Sequence, residues 1–204
     1  MNIPQKSLVL ATGNAGKIRE LTELFRDLPF EVKTLRDFEP TTDVDETGST
    51  FLENAELKAS GIARQTNHLS LADDSGLEIE ALGNAPGVYS ARFGGEGTGY
   101  DVKIPKLLTM LEEAWAAGRR ARFVCVMALA DKHGRIIYAA EGICNGSIAD
   151  APRGKNGFGF DPIFVPDGFS LTFGQLHDDV KRSISHRAKA AELIIRYLLD
   201  FIAV

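Results

Sequence analysis

The chain reads as an α/β protein forming one domain over residues 1–204. Three observations predict this. Strand-length apolar runs alternate with helical apolar stripes through the first eighty residues. Arg120 to Ala130 is apolar at nearly every position (Phe123-Val-Cys-Val-Met-Ala-Leu129), as a strand covered on both faces must be. No internal repeat, low-complexity tract or clear linker interrupts the order. A chain of 204 residues, 44% hydrophobic and 25% charged, can bury a sizeable core and does not resemble a disordered one.

Ser7 to Ala11 is a short buried strand ended by Thr12-Gly13-Asn14. Ile18, Leu21, Leu24, Phe25 and Leu28 then recur at helical spacing, with Asn14 suited to cap the helix and Lys17 in its first turn. A lysine there faces the positive end of the helix dipole, and an anion bound at the same terminus would reverse the sign of that interaction. Phe30 to Leu35 reads as a second strand, and the acidic, threonine-rich stretch Asp37 to Ser49 as a loop. Thr50 and Glu53 have capping-box spacing ahead of a helix carrying Phe51, Leu52, Ala55, Ala59 and Ile62. That spacing gives the Glu53 carboxylate a purely structural task. Lys58 lies roughly 140° round the helix from it, so the two do not pair along the helix.

Leu71-Ala-Asp-Asp-Ser-Gly76, followed by Leu77-Glu-Ile-Glu80, reads as a strand that ends in a polar turn and starts another strand. Acids and glycine are common turn residues, but a strand end is also a rigid place from which to hold a carboxylate over a ligand. Gly83 to Gly99 is a long glycine-bearing connection, the kind that forms lids and binding loops, with Arg92 a candidate phosphate contact. Ile104, Leu107, Leu108, Leu111 and Trp115 make another helical stripe with Pro105 near its start. Lys132-His133-Gly134 turns the chain, and Arg135 to Gly142 runs back as an antiparallel partner.

Pro152 to Pro162 packs three glycines, two phenylalanines and Asp161 into one irregular stretch, which lets backbone approach a flat group while a ring stacks on it. The last helix has Ala188, Ala191, Ile194, Ile195 and Leu198 on one side, with Ser183 or Ser185 able to cap it. Lys181, Arg182, His186 and Arg187 crowd its start. Two helix openings that collect cations point to one shared polyanion, a phosphorylated compound.

The net charge of −5 is uneven: 9 basic and 16 acidic residues in 1–100 give −7, whereas 14 and 12 in 101–204 give +2. No basic run suits a nucleic-acid polymer, and the acidity disfavours an anionic membrane surface. Cys125 and Cys144 lie in apolar segments without ligand-spaced partners and read as reduced core cysteines. With no apolar signal segment at Met1 to Lys6, the expected location is cytoplasmic.

Six motifs in register carry a resemblance: Thr12-Gly-Asn-Ala-Gly-Lys17, Phe51-Leu-Glu-Asn-Ala-Glu-Leu-Lys-Ala59, Leu71-Ala-Asp-Asp-Ser-Gly-Leu77, Pro86-Gly-Val-Tyr-Ser-Ala-Arg92, Arg153-Gly-Lys-Asn-Gly-Phe-Gly-Phe-Asp-Pro162 and Ser185-His-Arg187. Through nearly its whole length the chain resembles the inosine triphosphate pyrophosphatase family, the non-standard purine nucleoside triphosphate (XTP/dITP) pyrophosphohydrolases. The resemblance implies an elongated central mixed β-sheet flanked by helices, two lobes around a nucleotide-binding cleft, and a homodimer. It implies Mg²⁺-dependent hydrolysis of the α–β phosphoanhydride of ITP, dITP and XTP to the monophosphate and pyrophosphate, which cleanses the nucleotide pool.

Carried onto matching positions, the resemblance makes Thr12, Gly13, Asn14, Ala15, Gly16 and Lys17 the phosphate loop, Lys17 also acting in catalysis. Glu53 and Asp74 match the acids that hold the metal. Asp74 is the general base, with Asp73 supporting it. Ser75 and Lys58 match the triphosphate site, Phe158, Gly159, Phe160, Asp161, His186 and Arg187 the base pocket, and Lys181 a substrate contact. These residue types suit the chemistry, because phosphoanhydride hydrolysis needs cations on the phosphoryl oxygens, an oriented water and hard oxygen ligands for Mg²⁺.

Adjacent strand side chains point to opposite faces, so one of Asp73 and Asp74 is expected at the metal and Asp73 could instead orient a lysine. A base pocket that donates to a purine 6-carbonyl would reject adenine, whose amino group is itself a donor. One departure stands out: Thr172-Phe-Gly-Gln-Leu176 lies where members commonly carry Thr-Phe-Ala-Glu-Leu. Gln175 in place of an acid is expected to leave Lys181 less neutralised. Related pyrophosphatases of modified pyrimidine or 7-methylguanine triphosphates are the enzymatic alternative, and a catalytically silent nucleotide-binding protein is the other.

Overall fold

The structure, a computed structural model, describes residues 6–39, 41–114 and 118–202. Its centre is one six-stranded mixed sheet. The strands are β1 (Lys6–Leu10), β2 (Phe30–Thr34), β3 (Leu69–Ile79), β4 (Arg120–Ala130), β5 (Ile136–Ile148) and β6 (Phe164–Pro166), in the order β2-β1-β3-β4-β5-β6. β1 is parallel to both β2 and β3, with Leu8 opposite Val32 on one side and Leu69 on the other. β6 closes the far edge antiparallel to β5, with Ser147 opposite Val165.

The helices are α1 (Ala15–Phe25), α2 (Phe51–Thr66), α3 (Tyr100–Glu113), α4 (Asp178–Ile184) and α5 (His186–Ile202). α1 and α2 lie between β1, β2 and β3 in the chain, as crossovers between parallel strands require. The capping expectations for α1 and α2 are met. Asn14 Oδ1 accepts from the Gly16 and Lys17 amides, and Thr50 and Glu53 close a reciprocal capping box on α2. In α3, Pro105 is tolerated near the start, where it removes one donor from the helix ladder. Trp115, expected on the same stripe, lies outside the described residues.

The chain divides into two compact units. The first comprises Met1–Asp74, Cys125–Gly142 and Ala188–Val204, and its core joins Leu10, Phe25, Leu71, Met127 and Ile194. The second comprises Ser75–Val124 and Ile143–Arg187, and its core joins Leu77, Leu107, Phe123, Phe164 and Phe173. Cys125 and Cys144 are free thiols, one buried in each core.

Three expectations are corrected. Asp73-Asp74-Ser75-Gly76 is no turn: β3 runs through it as a single strand of 11 residues. Acids survive in mid-strand because lysines on two helices neutralise them, a pairing that no local pattern encodes. The cations ahead of the last helix also separate. Lys181 and Arg182 occupy the last turn of α4, where the dipole favours them, and only His186 and Arg187 open α5.

The connection after β3 is not an unstructured lid either. It forms 3-10 turns at Glu80–Leu82 and Gly87–Arg92. Ser90 Oγ accepts from the Leu77 amide at 2.9 Å, and Lys103 Nζ donates to the Ala91 carbonyl at 2.5 Å.

Gly174 explains itself by packing. A Cβ there would stand 2.6 Å from the Arg153 carbonyl oxygen and 2.9 Å from Pro162 Cα. Its amide donates to the Asp161 carbonyl at 2.9 Å, tying the segment to the Pro152–Pro162 stretch. Gly174→Ala is therefore expected to cost about 1–3 kcal/mol of stability through overpacking, read as a lower urea midpoint at unchanged m. Unchanged stability would show that the two segments separate readily.

Candidate active site

The first unit carries a cluster of opposed charges on β3. Asp73 is fully buried and Asp74 nearly so. Successive strand residues face opposite ways, and the partners sort accordingly. Asp73 Oδ2 meets Lys17 Nζ at 3.2 Å and lies 3.9 Å from the Cys125 thiol. Asp74 Oδ1 meets Lys58 Nζ at 3.3 Å, and its Oδ2 accepts from Asn54 Nδ2 at 3.2 Å.

The two lysines nevertheless converge. The Asp73 carbonyl oxygen accepts from Lys58 Nζ at 2.8 Å and from Lys17 Nζ at 3.3 Å. Lys58 also reaches Glu46 Oε1 at 2.9 Å. Two ammonium groups thus stand over one backbone oxygen beside a buried carboxylate, an arrangement suited to phosphoryl oxygens.

Burial pushes the Asp74 carboxyl above its ordinary 3.8, while Lys58 and Lys17 pull it down without cancelling the effect and Glu46 adds to the rise. For Lys58, burial works against the charge, yet Asp74, Asp73 and Glu46 outweigh it and raise the ammonium's pKa. Glu53 behaves differently. Its Oε2 accepts from Ser49 N at 2.7 Å, Ser49 Oγ at 2.8 Å and Thr50 N at 3.1 Å, and these bonds hold its carboxyl below the usual range.

The proposed phosphate loop follows β1. The Ala11 amide donates to the Leu71 carbonyl at 2.7 Å, so β1 leaves the sheet beside β3. Thr12 Oγ1 accepts from the Asn14 amide at 3.2 Å, and the Gly16 and Lys17 amides are held by the cap. Gly13, Asn14 and Ala15 are exposed.

The second unit holds a cluster of cations and rings. Asp161, buried by the turn that follows Phe160, accepts from Phe158 N at 2.7 Å and from Lys181 Nζ at 2.5 Å through the same Oδ2. Phe158 is half-buried, with Lys181 Nζ 5.0 Å and Arg187 Cζ 5.5 Å from its ring centre. Arg187 is buried and donates to Ser75 Oγ at 2.8 Å. His186 is buried and stacks on Phe123 with ring centres 4.7 Å apart. Phe160 turns into the core instead, edge-on to Tyr100 at 5.1 Å, so Phe158 is the ring left to meet a flat ligand.

Gln175 Oε1 accepts from the Thr172 amide at 3.2 Å, and Lys181 pairs with the Asp161 carboxylate. Arg92, offered as a phosphate contact, lies over the Tyr89 ring at 5.3 Å.

Reading the sequence missed Glu46 and Asn54. Glu46 sat in a loop whose acids look alike until folding brings one to Lys58. Asn54, beside Glu53 in its motif, carries no local sign that it will reach Asp74.

Among the described residues no three His, Cys, Asp or Glu side chains come together as a metal-holding group. Mg²⁺ does not require such a group, since it commonly takes one or two carboxylates, waters and substrate phosphates. Asp74, Glu46 and Glu53 offer the hard oxygens it prefers, and among the described residues no thiol or imidazole meets the Asp74 carboxylate. The donor chemistry fits.

The model of the Ham1 family matches residues 8–197. The chain belongs to the Ham1 family. It is 47% identical over 191 residues to a dITP/XTP pyrophosphatase of Desulforamulus reducens, covering 94% of each chain. It is 46% identical over 186 residues to one of Bacillus anthracis, covering 91% of this chain and 92% of that one. A solved Ham1 protein from Coxiella burnetii superposes with a TM-score of 0.87 at 42% identity, over 96% of this chain and 99% of the other. The Ham1 protein of Staphylococcus aureus gives 0.84 at 41%, with the same coverage. This Ham1-family chain has no helix among the described residues long and apolar enough to cross a membrane.

Because folding raises the Asp74 pKa, the group favours the folded state most below its unfolded value. That contribution declines as pH rises through the folded value. Lys58 is the largest opposing charge, so Lys58→Met is expected to move the Asp74 titration to still higher pH. Carboxyl carbon shifts of labelled aspartate, followed against pH, check this; a downward move would refute the assignment of Lys58 as its counter-charge.

Proposed function

We propose that this protein hydrolyses the α–β phosphoanhydride of non-standard purine nucleoside triphosphates, namely ITP, dITP and XTP. The products are the nucleoside monophosphate and pyrophosphate. The observation that carries the reading is the pair of ammonium groups, Lys17 and Lys58, meeting over the Asp73 carbonyl beside buried Asp74. Relatives matching more than nine-tenths of the chain and described as dITP/XTP pyrophosphatases support it.

In this reading water attacks the α-phosphorus, the bond from that phosphorus to the bridging oxygen breaks, and the electron pair leaves on pyrophosphate. Asp74 takes the proton of the attacking water. Its raised pKa makes it a better base than an ordinary aspartate. Lys17 and Lys58 neutralise phosphoryl oxygens as charge builds up on the leaving group. Asp73 is left the task of orienting Lys17 through its Oδ2. The loop Thr12 to Gly16 lies ahead of Lys17 and serves the phosphates. Asp74 and Glu53, with Glu46 nearby on Lys58, are the oxygens that would hold Mg²⁺. Bound there, Mg²⁺ supplies Lewis acidity toward the phosphate oxygens.

The second unit reads the base. Phe158 offers a ring face with cations already beside it, and Lys181, His186 and Arg187 supply donors suited to a 6-carbonyl. Adenine would set its amino group against those donors, a mismatch that sites built on hydrogen bonds reject strongly. Ser75 assists by holding Arg187. The same reading carries homodimeric assembly, a cytoplasmic location and action on free nucleotides, not on a nucleic-acid polymer.

Pyrophosphate release from inosine, xanthosine, adenosine and guanosine triphosphates, measured side by side with Mg²⁺, tests the reaction and the base preference. Orthophosphate as the first product, or equal rates on ATP and ITP, would overturn it. Asp74→Asn is expected to lower kcat on ITP by about 10²–10⁴-fold, the usual worth of a positioned base.

Glu53→Gln separates two roles, because glutamine keeps the capping box and loses only the charge. The thermal midpoint should stay near that of the parent while the Mg²⁺ concentration needed for half-maximal rate rises. An unchanged Mg²⁺ dependence would leave Glu53 a cap alone.

A further inference from the structure

Within the second unit, Phe158 is gripped at both of its backbone polar groups by Asp161. The Phe158 amide donates to Asp161 Oδ2 at 2.7 Å, and the Asp161 amide donates to the Phe158 carbonyl at 3.3 Å. The same Oδ2 accepts from Lys181 Nζ at 2.5 Å, which sets that ammonium 5.0 Å from the Phe158 ring centre. Asp161 is fixed in turn, because it is buried and its carbonyl accepts from the Gly174 amide at 2.9 Å. One buried oxygen thus ties the backbone of residue 158 to the cation beside its ring.

That oxygen has its place only because residue 157 is glycine. A Cβ at Gly157 would stand 1.9 Å from Asp161 Oδ2, 2.8 Å from Asp161 Cγ and 3.1 Å from Lys181 Nζ. A short, buried carboxylate cannot yield to it and keep both donors. Gly157 also has φ +71°, in the left-handed region that favours glycine. Its neighbour Gly159 lacks this spatial constraint, since a Cβ there would make only ordinary contact, with Tyr100 Oη at 3.5 Å.

A carboxylate oxygen has two lone pairs, and at Asp161 Oδ2 an amide and an ammonium take both. We propose that Asp161, seated in the space left by Gly157, is a positioning residue for base recognition: it holds the Phe158 ring ready to stack a purine and acts on the nucleotide through that ring, not by touching the base. The inference rests on the reading of Phe158 as the ring that meets the base, and adds what holds the ring in place.

Gly157→Ala in the full chain is the direct test. It leaves Phe158, Asp161 and Lys181 chemically intact and only drives the carboxylate from its position. Two probes are titrated with Mg²⁺ present: a non-hydrolysable inosine triphosphate analogue, and inorganic triphosphate, which carries phosphates and no base. The Kd of the analogue should rise about tenfold, the order of one lost base–aromatic stack. That of inorganic triphosphate should stay near the parent value. An unchanged Kd for the analogue overturns the proposal, and so does an equal rise for both probes, the mark of a merely structural role.

Phe158→Leu completes a double-mutant cycle. With the ring gone, Gly157→Ala should weaken the analogue hardly further. A full additional loss would mean that Asp161 contacts the base itself, and overturns the proposal. Should Gly157→Ala fail to fold, Asp161→Asn takes its place in the same cycle, since it keeps the shape and removes the charge that holds Lys181. Selective weakening of the analogue then supports the proposal, and unchanged binding or equal weakening of both probes refutes it.

Hydrogen exchange of the Phe158 amide in ligand-free protein, slow in the parent and fast in Gly157→Ala, reads the grip without substrate; equal rates in the two proteins refute it. If the parent releases no pyrophosphate from any purine triphosphate, the functional reading fails, and the positioning role with it. If the parent is active on ITP but Gly157→Ala binds the analogue as tightly as the parent, only the present proposal fails.

Discussion

Two lysines reaching one backbone oxygen is the constraint on which the first unit turns. Lys17 comes from the first turn of α1 and Lys58 from the middle of α2, and both donate to the carbonyl of Asp73. Each also takes a carboxylate: Asp73 for Lys17, Asp74 and Glu46 for Lys58. Taking these charges out of water is costly, and removing one member of a buried pair typically costs about 3–5 kcal/mol because the other is left uncompensated. The two crossover helices and the central strand are therefore held to one mutual arrangement by charge as well as by apolar packing. A cluster that costs stability to assemble, and leaves a carboxylate with a raised pKa, has the character of a functional site.

The second unit solves a similar problem with rings. Lys181 is neutralised by Asp161 and faces both Phe158 and Phe173, while Arg187 lies over Phe158 and is held by Ser75. Aromatic faces stabilise cations that burial would otherwise penalise. The buried rings of Phe160, Phe164 and Phe173 make this a rigid wall, and the short α4 delivers Lys181 to it from its C-terminal turn. The family resemblance grouped Phe158 and Phe160 together. Packing assigns them different tasks, since one faces the cations and the other fills the core.

Much was legible without coordinates wherever the signal was local. The alternation of apolar runs marked β1, α1, β2 and α2, the Asn14 cap and the Thr50–Glu53 box marked two helix starts, and the all-apolar run of β4 marked a strand covered on both faces. Local chemistry failed where distant charges intervened. Asp73-Asp74-Ser75-Gly76 has the composition of a turn, yet it is strand because Lys17 and Lys58 neutralise it from 56 and 15 residues away along the chain. The cations before α5 looked like one helix opening, until Ser185 divided them between the end of α4 and the start of α5.

The sequence by itself determined the family, the residue types of the chemistry and most element boundaries, because these rest on spacing and on motifs read in order. Only the tertiary structure decided which aspartate faces which lysine, that Glu46 and Asn54 join the cluster, and that Gln175 serves Thr172 while Asp161 serves Lys181. The reason is physical. A propensity or a cap is settled within a turn or two of chain, whereas the partner of a buried charge is settled by whichever distant segment the core brings within hydrogen-bonding reach.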